Sequence, residues 1–456
     1  MKKWLIALLA GAMVFSFSMS ASATSLKTYG YFMAAASNIV NYNFNSTAAH
    51  DRFTAGQRLR FFFDFIANEN LKATVGLEIN QKWGDPANGA TKMDKNIMVV
   101  KRAMLTFKWP DTNVTFKIGA QGVALPGGAF ANPVLFCDIA GALVNVPVND
   151  MISVTAGWLR PWSQDQAGRS GRGADGGNID AALLSVPVKL EGVKINPYFV
   201  YAFIDKNVNN AGAVLGDLAS EARLRPVVGA TALTGAAKAY WLGMGYDISL
   251  FQPIDVKGQV VYGKVDAKKD NNDRSGIYVD LAASYKMDMM TPMAYFVYSS
   301  GDDANGTDGS EMLPILGNDY VWATPVGFVV GNGCNFVNVG GDGLYSGNPL
   351  GFWLVGLALK DISVVDNLSS TFAIEYGKGT IDKNIVKANR AAYNEYFSKE
   401  DSFFQMKLES KYKIYENLAA ILELSYGKLN MDENVWGKDY LDDAAYGAVF
   451  GFKYKF

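Results

Sequence analysis

The chain ends in a segment, from Tyr446 to Phe456, that alternates strictly between two kinds of side chain. Aromatic residues or alanine hold the even positions, while glycine, valine or lysine holds the odd ones. A period of two indicates a β-strand whose two faces meet different surroundings. In a soluble protein, an unpaired terminal strand with this many aromatic side chains would promote aggregation. The pattern is typical of the closing strand of a membrane β-barrel, where one face contacts lipid and the other a wet lumen.

The beginning of the chain has the features of an export signal. Lys2 and Lys3 precede an apolar run over residues 4–17, and Ala21-Ser-Ala23 offers a small-residue cleavage site. An uncleaved inner-membrane anchor is the alternative, but the run is shorter than the ~20 residues that a helical span needs. We therefore expect residues 1–23 to be a cleaved signal peptide and residues 24–456 to be one domain in the bacterial outer membrane.

Composition excludes several classes of function. The chain has 42 basic and 44 acidic residues, a balance that argues against a nucleic-acid partner. A single histidine, His50, and two cysteines leave little material for a metal site, and no nucleotide-binding glycine motif is present. We expect no cofactor, no metal and no enzyme activity, since a barrel enzyme needs a base beside its nucleophile.

Alternating stretches recur along the rest of the chain, for example over residues 57–65. Short polar turns, such as residues 148–150, alternate with long segments, such as residues 301–350. This is the asymmetry of an outer-membrane barrel, and charges avoid its lipid face. We predict an all-β fold, a transmembrane antiparallel β-barrel of about 18 strands, with about 16 as the next choice because counts are even. The least certain strands lie at residues 139–147 and 179–188.

Several basic residues fall on the face of these strands that alternation assigns to the lumen. The predicted pore-lining residues are Arg58, Arg60, Lys72, Arg102 and Lys117. Because rings of arginine and lysine favour anions in pores, this wall predicts a mild anion preference. The alternative is that these cations pair with Asp64 and Glu78 and only stiffen the wall.

Five motifs together carry a resemblance to a known family: Thr28-Tyr-Gly-Tyr-Phe32, Arg58-Leu-Arg-Phe61, residues 116–122, Phe130-Ala-Asn-Pro-Val134 and the terminal Phe456. The mature chain resembles the outer-membrane homotrimeric porins of sulfate-reducing bacteria. The resemblance implies a homotrimer with water-filled channels, set in outer-membrane lipid and lipopolysaccharide. It also implies that Phe456 is an assembly signal read by the barrel-assembly machinery.

The resemblance also implies a constriction loop at residues 122–136, because the loop at this place in general porins folds into the barrel. The segment is apolar and rich in glycine and proline, and its expected functional residues are Pro126, Phe130, Phe136 and the nearby acid Asp138. In general porins an acidic constriction loop faces a basic wall. Here the only acid near the loop is Asp138, so the negative charge that opposes the basic wall is weak. The alternative is that the segment packs over a neighbouring subunit or the rim.

Two further features remain as alternatives. Cys137 and Cys334 are the only cysteines, and in an oxidising compartment they could form a disulfide or stay as two thiols. The acidic residues 302–308 lack the spacing of a calcium loop, so a solvated loop tip is preferred over a cation site.

These observations predict an outer-membrane porin for passive diffusion of small hydrophilic solutes and ions. The main alternative is a monomeric, substrate-specific channel for small carboxylates or other anions. A soluble secreted β-sandwich or adhesin is a second alternative, and a barrel enzyme is a third.

Overall fold

The computed structural model describes residues 24–86, 98–163, 177–205, 208, 224, 227–228, 235–317, 323–331, 344–347, 349–437 and 440–456. The predicted signal peptide, residues 1–23, lies outside the described residues, as does Cys334.

The described part of the chain is built almost entirely from β-strands. In chain order the strands are β1 Ser25–Val40, β2 Arg52–Asn68, β3 Leu71–Lys82, β4 Met98–Lys108, β5 Thr115–Ala124, β6 Phe136–Pro147, β7 Ser153–Ser163, β8 Asn178–Ser185, β9 Val188–Leu190, β10 Val193–Ile204, β11 Ala237–Phe251, β12 Ile254–Asp266, β13 Arg274–Tyr285, β14 Thr291–Ser299, β15 Phe352–Val365, β16 Leu368–Gly379, β17 Ser402–Tyr415, β18 Leu418–Asn430 and β19 Ala444–Lys455. The helices are short: 3-10 turns at Ser46–Ala48 and Asp270–Asn272, and α-helices at Lys383–Ala388 and Glu433–Trp436. No helix in the described ranges is long and apolar enough to cross a membrane.

The strands close into a barrel. Neighbouring strands pair antiparallel around the sheet, and β1 pairs with β19 from Tyr31↔Lys455 to Val40↔Tyr446. Both β8 and β9 pair with β10, so they are one strand interrupted at Pro187, which has no N–H to give to the ladder. The described chain is therefore a closed antiparallel barrel of 18 strands, as predicted.

The two less certain segments are strands as well. Residues 139–147 lie within β6, and residues 179–188 lie mainly within β8. The α-helix between β16 and β17 spans Lys383–Ala388, and turns follow it.

The alternation in sequence becomes an alternation between the two faces of the barrel wall. On β19 the aromatic side chains of Phe450 and Phe452 are exposed on the outside, while Val449 is buried within the barrel. The same holds on β11, where Leu242 is exposed and Trp241 is fully buried. The hydrophobic outer face is what a lipid environment stabilises, as the sequence predicts.

The two ends of the barrel differ. At the end that holds Thr24 and Phe456, two-residue turns join strands, for example Asp366-Asn367 and Glu416-Asn417. Long segments join the strands at the other end, among them residues 300–351 between β14 and β15. We call these the turn end and the loop end.

Candidate channel and its constriction

The loop between β5 and β6, residues 125–135, crosses the lumen; we call it L3. The backbone N–H of Ala129 donates a hydrogen bond of 2.8 Å to Asp280 on β13. The side chain of Asn132 donates one of 2.7 Å to the Tyr198 hydroxyl on β10. These strands lie across the barrel from β5. The inward-folded constriction loop that the sequence predicts is confirmed.

Close packing holds L3 against the far wall. A Cβ atom on Gly128 would overlap the backbone of Gly258 and Gln259 on β12, so the backbone of L3 lies directly against the backbone of β12. Only glycine permits such an approach. The Phe130 ring packs edge-on against Tyr295 of β14 with the ring centroids 5.4 Å apart. Gly128 and Phe130 therefore hold L3 against the far wall of the barrel.

The boundaries of L3 are narrower than the predicted segment 122–136. Residues 122–124 belong to β5, and Phe136 begins β6, so only Pro126 and Phe130 of the four predicted residues lie in the loop. The prediction was too wide because apolar strand ends and an apolar loop look alike in sequence. Asp138 lies on β6, where Lys101 approaches its carboxylate at 2.8 Å and Arg102 at 3.7 Å.

A second segment also folds into the barrel; we call residues 300–331 the L7 insert, of which 300–317 and 323–331 are described. Its backbone pairs with L3 and with the start of β6: the N–H of Leu316 donates to the Val134 carbonyl at 2.9 Å, and the N–H of Phe136 donates to the Gly317 carbonyl at 3.0 Å. Trp241 on β11 donates its indole N–H to the Pro314 carbonyl at 2.8 Å. The sequence analysis treated this segment as an outer loop and missed its inward fold.

The later part of the L7 insert is held by a buried polar network on β14, β16 and β17. The Gln405 side-chain oxygen accepts the backbone N–H groups of residues 328–330, the shortest at 2.7 Å from Val329. The Gln405 amide in turn donates to Glu375, which also accepts the Tyr295 hydroxyl at 2.6 Å. Buried polar groups of this kind need such partners, so the network and the insert stabilise each other.

Four of the predicted pore-lining cations lie beside carboxylates on neighbouring strands. Arg60 pairs with Glu78, Arg58 Nε lies 3.8 Å from the same carboxylate, and Lys72 Nζ lies 2.8 Å from Asp64. Arg102 is the fourth, beside Asp138 as described above. For these residues the geometry favours the alternative in which the cations stiffen a paired wall.

Lys117 is the remaining predicted residue. In the ladder it is opposite Thr106, which is opposite Lys72 on the next strand. The register therefore places Lys117 and Lys72 on the same lumenal row.

Another group of cations lines the lumen on β17 and β19, near the turn end; we call it the lysine wall. Its members are Lys411, Lys413, Lys453 and Lys455. Among the described residues, none of the four has a carboxylate oxygen within the 4.0 Å of an ion pair. Lys453 Nζ lies 5.3 Å from the centre of the Tyr31 ring, and Arg60 approaches the same ring at 5.8 Å.

The lysine wall was not among the predicted pore-lining residues, although the signal was present. Lys453 and Lys455 hold the odd positions of the terminal strand, the face already assigned to the lumen. The register joins Lys413, Ala419, Lys453, Met33 and Arg58 in one row across β17, β18, β19, β1 and β2. Only closure of the barrel makes this row continuous with the basic residues of β2.

Three acidic residues of the L7 insert come together. Ligand atoms of Asp303, Asp308 and Glu311 all lie within 4.8 Å of one another. Burial raises the pKa of the Glu311 carboxyl, and the nearby charges of Asp303 and Asp302 raise it further. Exposed acidic groups are common without an ion, so we assign no metal to this cluster.

Comparisons with known proteins find likeness in structure rather than in sequence. No family model matches the chain, and no curated protein matches it. The solved structures that are similar over nearly the whole chain include three described as follows. OccK8 (OprE) of Pseudomonas aeruginosa has a TM-score of 0.54 at 10% identity, covering 95% of this chain and 98% of its own. OccAB1 of Acinetobacter baumannii has a TM-score of 0.52 at 12% identity, covering 95% and 99%.

The third is the outer membrane protein OprD from Pseudomonas aeruginosa, with a TM-score of 0.52 at 13% identity, covering 94% of each chain. At these identities the likeness shows the fold alone, a closed antiparallel β-barrel. The narrower resemblance to porins of sulfate-reducing bacteria finds no match among the family models and stays a prediction.

Proposed function

We propose that this chain is an outer-membrane channel, not an enzyme, whose narrowed lumen passes small anionic solutes, carboxylates foremost. The observation that carries the proposal is the combination of two inward-folded segments with the lysine wall. L3 and the L7 insert pair with each other and are held on the inner face at Asp280 of β13 and Gln405 of β17, whereas the lysine wall lies nearer the turn end of β17 and β19.

The narrowing favours a restricted channel over a general diffusion pore. A wide pore needs no apolar filling, whereas the L7 insert buries Met312, Leu313 and Leu316 inside the barrel. Structures named OprD and OccK8 share the fold, and the former is described as an outer membrane protein. The apolar filling supports a channel that selects among solutes by size.

The charge of the open side favours anions. Water screens charges beyond ~8 Å at physiological salt, so only groups close to the passing solute act on it. Because the four lysines of the lysine wall have no ion-pair partner in the described part of the chain, their charge is available to a solute. The paired cations of β2 and β3 contribute less, since Glu78 and Asp64 offset them.

Planar-bilayer recording tests the proposal. We expect a reversal potential across a salt gradient that indicates anion preference, stronger at low salt, and a current that small carboxylates reduce in a saturable manner. A conductance that rises without saturation and shows no block by any small carboxylate would favour the general diffusion pore. Preference for cations would contradict the proposed role of the lysines.

Assembly as a homotrimer, recognition of Phe456 by the barrel-assembly machinery and contact with lipopolysaccharide are further proposals that rest on the family resemblance. Narrowing acts within each barrel, so it does not depend on how many copies associate. An unheated gel of detergent-extracted protein should show a band near three times the mature mass that collapses on boiling. A single-barrel band under every mild detergent would contradict the trimer.

A further inference from the structure

The four residues of the lysine wall fall into two pairs on either side of β18. Lys411 and Lys413 form the β17 pair, and Lys453 and Lys455 form the β19 pair. The register places Lys413 and Lys453 opposite the same residue of β18, Ala419. Because neighbouring strands lie about 4.8 Å apart, the backbones of the two pairs are separated by about 10 Å. The lumen wall therefore presents two separate cationic groups at a fixed spacing.

The strand between the two pairs carries no side chain that accepts a hydrogen bond at this level of the wall. On its inner face β18 here presents Ala419 and Ile421, and both are buried. Ile421 belongs to a small apolar cluster with Met33, Ala35 and Val449 of β1 and β19. The side chains between the pairs thus offer an ammonium group no acceptor, and water or a solute has to supply it.

Acidic residues border the lysine wall but do not lie between its pairs. Glu409 and Glu423 are opposite each other on β17 and β18, on the loop-end side of the wall, and Lys407 lies 3.6 Å from the Glu409 carboxylate. Four charged groups act on Lys453, namely the cations Lys455, Lys411 and Arg58 and the carboxylate of Glu409. Cations this close repel one another, and an anion bound between them removes that repulsion.

We propose that the lysine wall is a binding site for dicarboxylates, in which one carboxylate binds the β17 pair and the other binds the β19 pair. The inference rests on the proposed anion channel and narrows its solutes to one class. Hydrogen bonds from an ammonium group to a carboxylate are charge-assisted, and the oxygens of one carboxylate accept from both lysines of a pair. Once the first carboxylate is bound, the second binds as part of the same molecule, and such linkage raises affinity by a factor of about 10² or more. A monocarboxylate has no group for the second pair, whose lysines continue to repel each other.

The first test compares blockers of the chloride current through the full-length protein in a planar bilayer. Adipate and hexanoate have the same carbon chain, but only adipate carries a second carboxylate. At equal ionic strength, adipate should half-block the current at a concentration at least about tenfold lower than hexanoate. Sulfate, a compact dianion that reaches only one pair at a time, should need a concentration similar to that of hexanoate. Equal half-blocking concentrations of adipate and hexanoate, or of adipate and sulfate, would overturn the inference.

The ion selectivity recorded in the same membranes separates this inference from the proposed function. Anion preference together with equal block by adipate and hexanoate overturns the dicarboxylate site and leaves the anion channel standing. Cation preference together with no block by either compound overturns both.

The second test assigns the effect to the paired lysines. Lys411→Gln with Lys413→Gln removes the β17 pair, so the advantage of adipate over hexanoate should disappear. Lys257→Gln with Lys286→Gln is the matched control, because it removes two lysines near the turn end that lie 3.0 Å and 2.7 Å from carboxylates of their own. The control changes the net charge by the same amount and should keep the wild-type ratio of half-blocking concentrations. This ratio is measured within each variant, so a lower yield of folded channels does not alter it. Equal loss of the ratio in both variants would overturn the site, because the preference would then follow the overall charge of the lumen.

Discussion

The backbone N–H of Ala129 donates a 2.8 Å hydrogen bond to Asp280, joining a loop that leaves β5 to the inner face of β13 on the opposite wall. The same carboxylate accepts the Gln259 amide and the Tyr278 hydroxyl. One side chain thus fixes both the far wall and the loop that narrows the lumen. Together with the Asn132–Tyr198 hydrogen bond, this contact holds L3 across the lumen.

Asp280→Ala should therefore release L3 and raise the single-channel conductance. A hydrogen bond to a charged group contributes about 1.5–3 kcal/mol, and Asp280 accepts several, so the docked position of the loop should lose much of its stability. Asp280→Asn is the matched control, because its side-chain oxygen can still accept the Ala129 N–H. Equal conductance of wild type and Asp280→Ala would show that L3 stays docked without this anchor.

Gln405→Ala should loosen the L7 insert. It removes the acceptor for the N–H groups of residues 328–330 and leaves Glu375 without its amide donor. Each buried group left without a partner costs about 1–3 kcal/mol, so hydrogen exchange in residues 323–331 should accelerate by at least about tenfold. Gln121→Ala is the control, since Gln121 is a buried inner-wall glutamine that bonds to the Gly141 carbonyl instead. Unchanged exchange in residues 323–331 would argue against the anchor.

Substitution of the lysine wall should reduce anion preference more than substitution of a paired lysine. Lys411→Gln with Lys453→Gln removes two cations that face the lumen without an ion-pair partner in the described chain. Lys72→Gln is the comparison, because Asp64 offsets that charge at 2.8 Å. Reversal potentials at low salt measure the difference, where screening is weakest. A larger shift from Lys72→Gln would place selectivity elsewhere in the lumen.

Charges on the outer face should impair membrane insertion. Phe450→Arg and Leu422→Arg each place a cation on the lipid side of a strand, which costs roughly 2–4 kcal/mol at mid-membrane. Lys453→Arg changes size but not charge on the inner face and should assemble normally. The folded fraction is read from the heat-dependent gel shift of each variant in liposomes. Equal folding of all three would contradict the assignment of faces.

The disulfide prediction can be examined chemically. Cys137 is buried on β6, beside Gly317 of the L7 insert, and Cys334 follows later in the same connection between β14 and β15. A disulfide would fix the L7 insert to the strand that follows L3. Mass spectrometry of a digest made without reductant should find the two cysteine peptides linked. Full alkylation of both thiols in native, never-reduced protein would refute it.

The sequence alone determines the barrel and the two faces of its wall. In β19 and β2 the alternation of large apolar residues with glycine or charge follows from the geometry of a strand, in which neighbouring side chains point to opposite sides. The same local rule identifies the inward direction of Arg58 and Lys72. A glycine-rich apolar loop between two such strands also signals that it must bury its surface.

Only the tertiary structure decides which groups meet. Lys453 lies in the same row as Arg58 because barrel closure sets the register between β19, β1 and β2. The L7 insert lies inside the barrel because Gln405, far along the chain, supplies acceptors for its backbone. Local periodicity carries no information about partners that are distant in sequence. The free energy of burying a backbone N–H group, however, depends on whether such a partner accepts its hydrogen bond.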